Sequence, residues 1–264
     1  MNEITVKTEN RTAIITIERP ESFNAMTTSV FNALANAVKD CSEDPSLGSL
    51  IITGAGKAFS SGGDIKGFKE SIDRGEYLPD ELIAAAGSAA RAIRNCPLPV
   101  VAMVNGPAAG AGVGIMLACD FRVMSSKAKI VTAFTDIAAP GDTCTLYFLG
   151  KMLGTSRMMR YAMISEPITA QEAYELGIAC QTVAPEELEE SVMKLAQVLN
   201  KKPAGAIAIQ KKYINRFLYG DMEDVITFER QAMTSCSRLP DFTEAVSAFL
   251  EKREPAYLNS RIAD

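Results

Sequence analysis

The pattern of apolar and polar residues divides the chain into two parts. In the first part, short apolar segments with strand-like patterning alternate with helical ones. A helix is predicted from Thr27 or Thr28 to about Cys41, a second over 81–96, and a third from GPAAGAG to near Cys119. The predicted strands are residues 4–8, 13–18, 49–53, 97–105, 121–125 and 129–134. This alternation predicts an α/β core with parallel strands, in which 4–8 and 13–18 form a hairpin.

From about residue 143 onward the pattern is helical, with one short predicted strand at 178–184. Apolar residues recur every three or four positions in ELEESVMKLAQVLNK, AGAIAIQKKYINRFLYG, MEDVITFERQAMTSC and FTEAVSAFLEKR. We therefore divide the chain into a core, residues 1–200, and a helical C-terminal region, residues 201–264. The polar stretch 66–80 has neither pattern and is predicted to be a mobile connection.

Composition restricts the possible chemistry more than it defines it. The chain has 264 residues, a net charge of −5 and no histidine. A Ser-His-Asp triad and histidine-based metal sites are therefore excluded, so an acid or base must come from other side chains. The negative charge argues against nucleic acid as a partner.

The location is predicted to be the cytoplasm. The N-terminus, MNEITVKTEN, lacks the apolar segment of a signal peptide, and no apolar run is long enough for a membrane span. Six scattered cysteines without CxxC spacing are typical of reduced thiols.

Two glycine-rich loops each follow a predicted buried strand and lead toward a helix. They are FSSGGD (59–64) and NGPAAGAG (105–112). Unpaired N–H groups at a helix start favour a developing negative charge, and small residues allow close approach. The alternative is that glycine and alanine serve only close packing. Nucleotide binding is a weaker alternative, because Ile51 occupies the first glycine position of a P-loop and Gly110, Gly112 and Gly114 give GxGxG instead of the dinucleotide GxGxxG.

Five segments in register resemble the crotonase (enoyl-CoA hydratase/isomerase) superfamily over essentially the whole chain. They are RPESFNAM, GKAFSSGGDI, NGPAAGAGVGIMLACD, ITAQEAYELGIACQTVAP and FLEKREP. The resemblance implies a spiral of ββα units, a helical C-terminal trimerisation region and an acyl-CoA thioester ligand. It implies a homotrimer or a dimer of trimers, and no cofactor beyond the coenzyme A carried by the substrate.

The resemblance also assigns roles to individual residues. The backbone N–H groups of Gly63 and Ala111 would bind the thioester oxygen. Coenzyme A contacts are implied for Ala25, Lys57, Ser61, Asp64, Ile65 and, across a subunit boundary, Lys252. Each lysine is equally well explained as an ordinary surface charge.

The two glutamates of the family's hydratases are missing from this sequence. Their positions are occupied by Gly114 and by Phe134, which would line the substrate pocket. An acidic residue, Asp142, stands at a position where single-base isomerases of the family often carry one. Asp142 also directly precedes a predicted helix, so it could instead be an N-cap. Asp136 is expected to face solvent.

We therefore expect an enoyl-CoA isomerase in which Asp142 moves a proton between two carbons and Gly63 and Ala111 hold the dienolate oxygen. A hydratase or hydrolase with a non-standard acid and base is the alternative within the family. A catalytically inactive acyl-CoA-binding protein is the alternative from another functional class.

Overall fold

The computed structural model describes residues 3–260 and residue 262. Nine strands lie within these residues: β1 (Ile4–Glu9), β2 (Thr12–Ile17), β3 (Ser49–Gly54), β4 (Val100–Val104), β5 (Ala108–Ala109), β6 (Phe121–Ser125), β7 (Lys129–Val131), β8 (Ile168–Thr169) and β9 (Gln181–Val183). Six of them form a sheet in the order β1-β2-β3-β4-β6-β9, parallel except for the β1–β2 hairpin. Strands β5, β7 and β8 form a second, smaller sheet. The predicted α/β core with parallel strands is confirmed.

Eleven helices accompany the strands in the described part of the chain. They are α1 (Thr28–Glu43), α2 (Ile65–Asp73), α3 (Asp80–Asn95), α4 (Ala111–Ala118), α5 (Thr145–Leu153), α6 (Thr155–Ile164), α7 (Ala170–Glu175), α8 (Leu188–Asn200), α9 (Ala204–Leu218), α10 (Met222–Ser237) and α11 (Pro240–Glu251). None of the described helices is long and apolar enough to cross a bilayer.

Helices cover both faces of the large sheet. Leu50 and Ile52 of β3 belong to the main core, together with residues of α1, α3 and α4. Ile51 points to the opposite face and packs with Val101 of β4 and with α8. Because both faces are covered, all six residues of β3 are buried, which accounts for its uninterrupted apolar sequence.

The C-terminal helices pack against the core that precedes them. Helix α10 contacts α3, and α11 contacts α2. Asp120 holds helix α9 in place through Lys211, whose Nζ donates a hydrogen bond to the Asp120 carboxylate at 2.7 Å. The same carboxylate accepts a hydrogen bond from Arg94 Nη1 of α3 at 3.2 Å. All three of these side chains are largely buried. The contact between α11 and α2 places the C-terminal region beside the helix that follows the first glycine-rich turn.

Three predictions about local structure were wrong. The stretch 66–80 contains α2 and the start of α3, because Asp64 caps α2 and Phe68 buries its apolar side against Phe242 of α11. The strand predicted over 129–134 ends at Val131 and is followed by a 3-10 turn, Thr135–Ile137. The strand predicted over 178–184 is shorter, and β5 and β8, of two residues each, were not predicted.

Candidate active site

The two glycine-rich turns lie side by side at the ends of β3 and β4. Ser60 forms a parallel bridge with Ala108, and Ala109 N–H donates to Ser60 O at 2.9 Å. Gly62 has a φ of +88°, and a Cβ there would lie 2.7 Å from Ala109 O and 3.3 Å from Ala111 N. Glycine at this position therefore allows the first turn to approach the start of α4.

Two backbone N–H groups in these turns are available to a ligand. Within the described residues, neither Gly63 N–H nor Ala111 N–H donates a hydrogen bond to a protein group. Ala111 is the first residue of α4, whose preceding residue Gly110 has a φ of +48°. The start of the helix adds a partial positive charge beside these donors, so the arrangement suits a developing oxyanion.

A cavity of about 320 Å³ opens onto both donors. Six of the residues predicted for the site line it: Ser61, Gly63, Ile65, Ala111, Phe134 and Asp142. Its wall is otherwise mainly apolar. A small cavity with few polar groups and two backbone donors is typical of a substrate site.

Asp142 is the buried carboxyl group in this cavity, with 7 % of its surface exposed. Thr143 Oγ1 donates a hydrogen bond to Asp142 Oδ1 at 2.8 Å. Burial raises the pKa of Asp142 to about 6, although the hydrogen bond from Thr143 opposes this rise. A carboxyl with this pKa is mostly ionised at pH 7 and can both accept and return a proton.

The alternative that Asp142 caps a helix is wrong. Helix α5 begins at Thr145, its preceding residue is Cys144, and no side chain caps it. Thr143 and Cys144 have φ values of +57° and +56°, so a left-handed turn separates Asp142 from the helix. Glu229 of α10 accepts the Cys144 N–H at 3.0 Å within this turn.

The structure also accounts for the missing hydratase glutamates. A Cβ on Gly114 would lie 2.5 Å from Thr143 O and 2.6 Å from Thr145 Oγ1. The turn after Asp142 therefore occupies the space beside α4 that a side chain at 114 would need. Phe134 places an aromatic ring in the cavity wall at the second position.

Four predicted coenzyme A contacts do not line this cavity: Ala25, Lys57, Asp64 and Lys252. Lys57 and Lys252 are exposed. Asp64 caps α2 by accepting Gly67 N–H at 3.3 Å and pairs with Arg19 at 3.1 Å, and Arg19 also donates to Ala25 O at 2.6 Å. Asp64 thus supports the loop.

Several cavity residues were not predicted from the sequence. Met233 of α10 and Phe249 of α11 close the cavity from the C-terminal region. Phe68 of α2 and Ile137 also line it. Only the helical periodicity of α10 and α11 gave a signal, and it does not show which core surface a helix covers. Asp136 is exposed, as expected, yet it lies at the rim of the same cavity.

The thiol of Cys144, next to the Asp142 turn, is a poor nucleophile. Burial raises the pKa of the Cys144 thiol, and the nearby carboxyl of Glu229 raises it further. Within residues 3–260 and 262, no group of three or more His, Cys, Asp and Glu side chains could hold a metal ion.

The sequence model of one protein family matches this chain over residues 7–260, and its description is enoyl-CoA hydratase/isomerase. The chain belongs to this family. A probable enoyl-CoA hydratase of Rhodobacter capsulatus is 33% identical over 246 residues, which are 93% of either chain. A 1,2-epoxyphenylacetyl-CoA isomerase of Escherichia coli is 30% identical over 246 residues, or 92% of this chain and 93% of the relative.

A solved structure confirms the crotonase fold. The crystal structure of an enoyl-CoA hydratase from Mycobacterium avium subsp. paratuberculosis matches with a TM-score of 0.86 and 33% identity. The match covers 94% of this chain and 99% of that structure. The two curated relatives are named for different reactions, so the choice of reaction depends on the residues in the cavity.

Proposed function

We propose that this enzyme moves the double bond of a 3-enoyl-CoA to give the 2-enoyl-CoA. The observation that carries the proposal is the composition of the cavity: Asp142 is buried there with the free N–H groups of Gly63 and Ala111. The other carboxyl group on its wall, Asp136, is exposed at the rim.

The reaction needs one base and one site for negative charge. The Asp142 carboxylate would remove a proton from the carbon next to the thioester, and the thioester oxygen would take up the resulting negative charge. Gly63 and Ala111 N–H groups would stabilise this dienolate oxygen. Asp142 would then return the proton two carbons along, so no atom is gained or lost and water takes no part.

The hydratase alternative lacks a second buried carboxyl group in the cavity, since Asp136 is exposed at the rim. Hydration needs one group to activate water and another to protonate the α-carbon. Gly114 cannot be replaced by a glutamate without displacing the Thr143 turn, and Phe134 cannot transfer a proton. A mainly apolar wall also favours a reaction that excludes water.

The remaining contacts follow from the ligand. We propose that the pantetheine and nucleotide lie across Ala25, Ser61, Asp64 and Ile65, with Lys57 and a neighbouring subunit's Lys252 near phosphates. The exposure of both lysines supports this placement. Coenzyme A enters as part of the substrate, and no separate cofactor is needed. We also propose a cytoplasmic location, which the six free cysteines support.

Asp142→Asn tests the proposal directly. We expect the isomerisation rate of a 3-enoyl-CoA, followed by absorbance of the conjugated product, to fall by about 10²–10⁴-fold. Binding of an unreactive acyl-CoA, measured by calorimetry, should change little.

Asp136→Asn is the matched control, because it removes a carboxylate from the rim of the same cavity. Loss of activity in this variant instead would assign the base to Asp136. Efficient hydration of a 2-enoyl-CoA by the wild type would contradict the isomerase proposal, and binding without any turnover would favour the inactive binder.

A further inference from the structure

A second carboxyl group is buried behind the turn that carries Asp142. Glu229 of α10 is 8 % exposed, and its Oε2 accepts the Cys144 N–H at 3.0 Å. Thr143 and Cys144 both have left-handed φ values, which residues other than glycine adopt only at an energetic cost. Such conformations persist only where the surroundings hold them.

We propose that Glu229 is a positioning residue, whose hydrogen bond to Cys144 holds the left-handed turn that directs the Asp142 carboxylate into the cavity. Glu229 itself does not line the cavity, so it acts through the turn. The inference rests on the proposed function to the extent that Asp142 is the base there. It also assigns the C-terminal region a part in the geometry of the base.

Unlike an amide, the carboxyl group of Glu229 can ionise. The pKa of Glu229 is raised to about 8, mainly by burial; the hydrogen bond from the Cys144 N–H opposes this rise, and the nearby charge of Asp142 contributes to it. No lysine or arginine within the described residues forms an ion pair with Glu229 or Asp142. Arg91 of neighbouring α3 pairs instead with Glu223 at 2.9 Å.

The two pKa values define which carboxyl carries the charge. The pKa of Asp142, about 6, lies below that of Glu229, about 8, so near pH 7 Asp142 is ionised and Glu229 keeps its proton. Burial also raises the pKa of the Cys144 thiol, which stays neutral in this range.

Stability follows the same order. Folding raises the pKa of both carboxyl groups, so burial of their neutral forms contributes fully to the stability of the protein below about pH 4. This contribution is lost as the pH rises to about 8. Above that pH two negative charges adjoin the strained turn.

The first experiment measures isomerisation of a 3-enoyl-CoA between pH 6 and 9. Glu229→Gln keeps an acceptor oxygen for Cys144 but cannot ionise. We expect a kcat near that of the wild type at pH 7, and a kcat that holds above pH 8 where the wild type declines. Glu229→Leu removes the acceptor, so its kcat should fall at least tenfold while KM changes less than twofold.

Glu223→Gln is the matched control on the same helix, because Glu223 is exposed and pairs with Arg91. It should leave both the rate and its pH profile unchanged. A Glu229→Gln profile that declines in parallel with the wild type would overturn the inference, as would an unchanged kcat in Glu229→Leu. If Glu229→Leu fails to fold, the Glu229→Gln profile still decides.

A second experiment needs no substrate and so separates this inference from the proposed function. Thermal melting of the wild type, Asp142→Asn, Glu229→Gln and the double variant is compared at pH 5 and pH 8.5. At pH 8.5 either single variant relieves the same repulsion, so the double variant should gain less Tm than the two single gains added together. At pH 5 the effects should add.

Additive effects at pH 8.5 would overturn the role of Glu229, whatever the activity. A wild type that shows this coupling but no isomerisation would contradict the proposed function and support the inference.

Discussion

Single glycines decide the shape of this site. Gly62 brings one donor turn against the other through its φ of +88°. Gly114 leaves room for Thr143 beside α4, since its missing Cβ would lie 2.5 Å from Thr143 O. The absence of a side chain at 114 is therefore part of the arrangement that places Asp142, and it is more than the loss of a hydratase glutamate.

Replacing Gly114 by alanine should harm both stability and rate. The new methyl group must displace the Thr143 turn, so we expect a loss of about 1–3 kcal/mol in the free energy of unfolding. The kcat should fall at least tenfold because Asp142 moves with the turn. Urea unfolding and steady-state kinetics measure the two effects.

Gly205→Ala is the control, because Gly205 lies in the first turn of α9 with nothing within 4 Å of an added Cβ. Alanine in a helix with open space should stabilise the protein by up to about 1 kcal/mol. If Gly114→Ala were equally stabilising, the turn would have room to move and glycine would not be required there.

At the scale of elements, the sequence predicted what periodicity and spacing encode. Strands β2, β3, β4 and β6, the long helices and the two glycine turns all have clear patterns, and the family's motifs located Gly63, Ala111 and Asp142. Helix α2 was missed because most of its side chains are polar, although Asp64 ahead of it is a good N-cap. Strands β5 and β8 are too short to show alternation.

Contacts between distant segments had no sequence signal. The left-handed conformations of Thr143 and Cys144 occur at residues that rarely adopt them, so no local pattern marks them. The burial of Glu229 depends on how α10 lies on the core, and the approach of Phe249 depends in the same way on α11. Such contacts are decided by tertiary packing, which periodicity describes only as an apolar face.

Helix α11 should influence which acyl groups the enzyme accepts. Phe249 lines the cavity yet is 57 % exposed, so its removal should cost little stability. We expect Phe249→Ala to lower kcat/KM for long acyl chains by about tenfold, equivalent to about 1.4 kcal/mol, and to affect short chains less. A chain-length series of 3-enoyl-CoAs measures this effect.

Phe228→Ala on α10 removes a ring of similar exposure that does not line the cavity. It should leave the chain-length profile unchanged. Equal profiles for both variants and the wild type would show that α11 does not contact the acyl chain.

At the scale of the whole molecule, α9 has an uncovered apolar face. Ile209, Tyr213 and Phe217 follow one another at intervals of four residues and are each more than 60 % exposed. The rings of Tyr213 and Phe217 are in contact, with centroids 4.8 Å apart. A contiguous exposed apolar surface of this kind marks an interaction site, and identical copies commonly meet in closed symmetric assemblies.

The family resemblance implies a homotrimer or a dimer of trimers, and we expect such an assembly to bury this face of α9. Light scattering at micromolar concentration should give a mass of three or six chains. Phe217→Asp places a charge in the face and should shift the mass toward smaller species, because an unpaired charge is costly to bury. Val6→Asp, at an exposed apolar residue of the edge strand β1, is the control and should keep the wild-type mass. A monomeric wild type would refute the assembly, whereas dissociation in Val6→Asp but not in Phe217→Asp would locate the interface at β1.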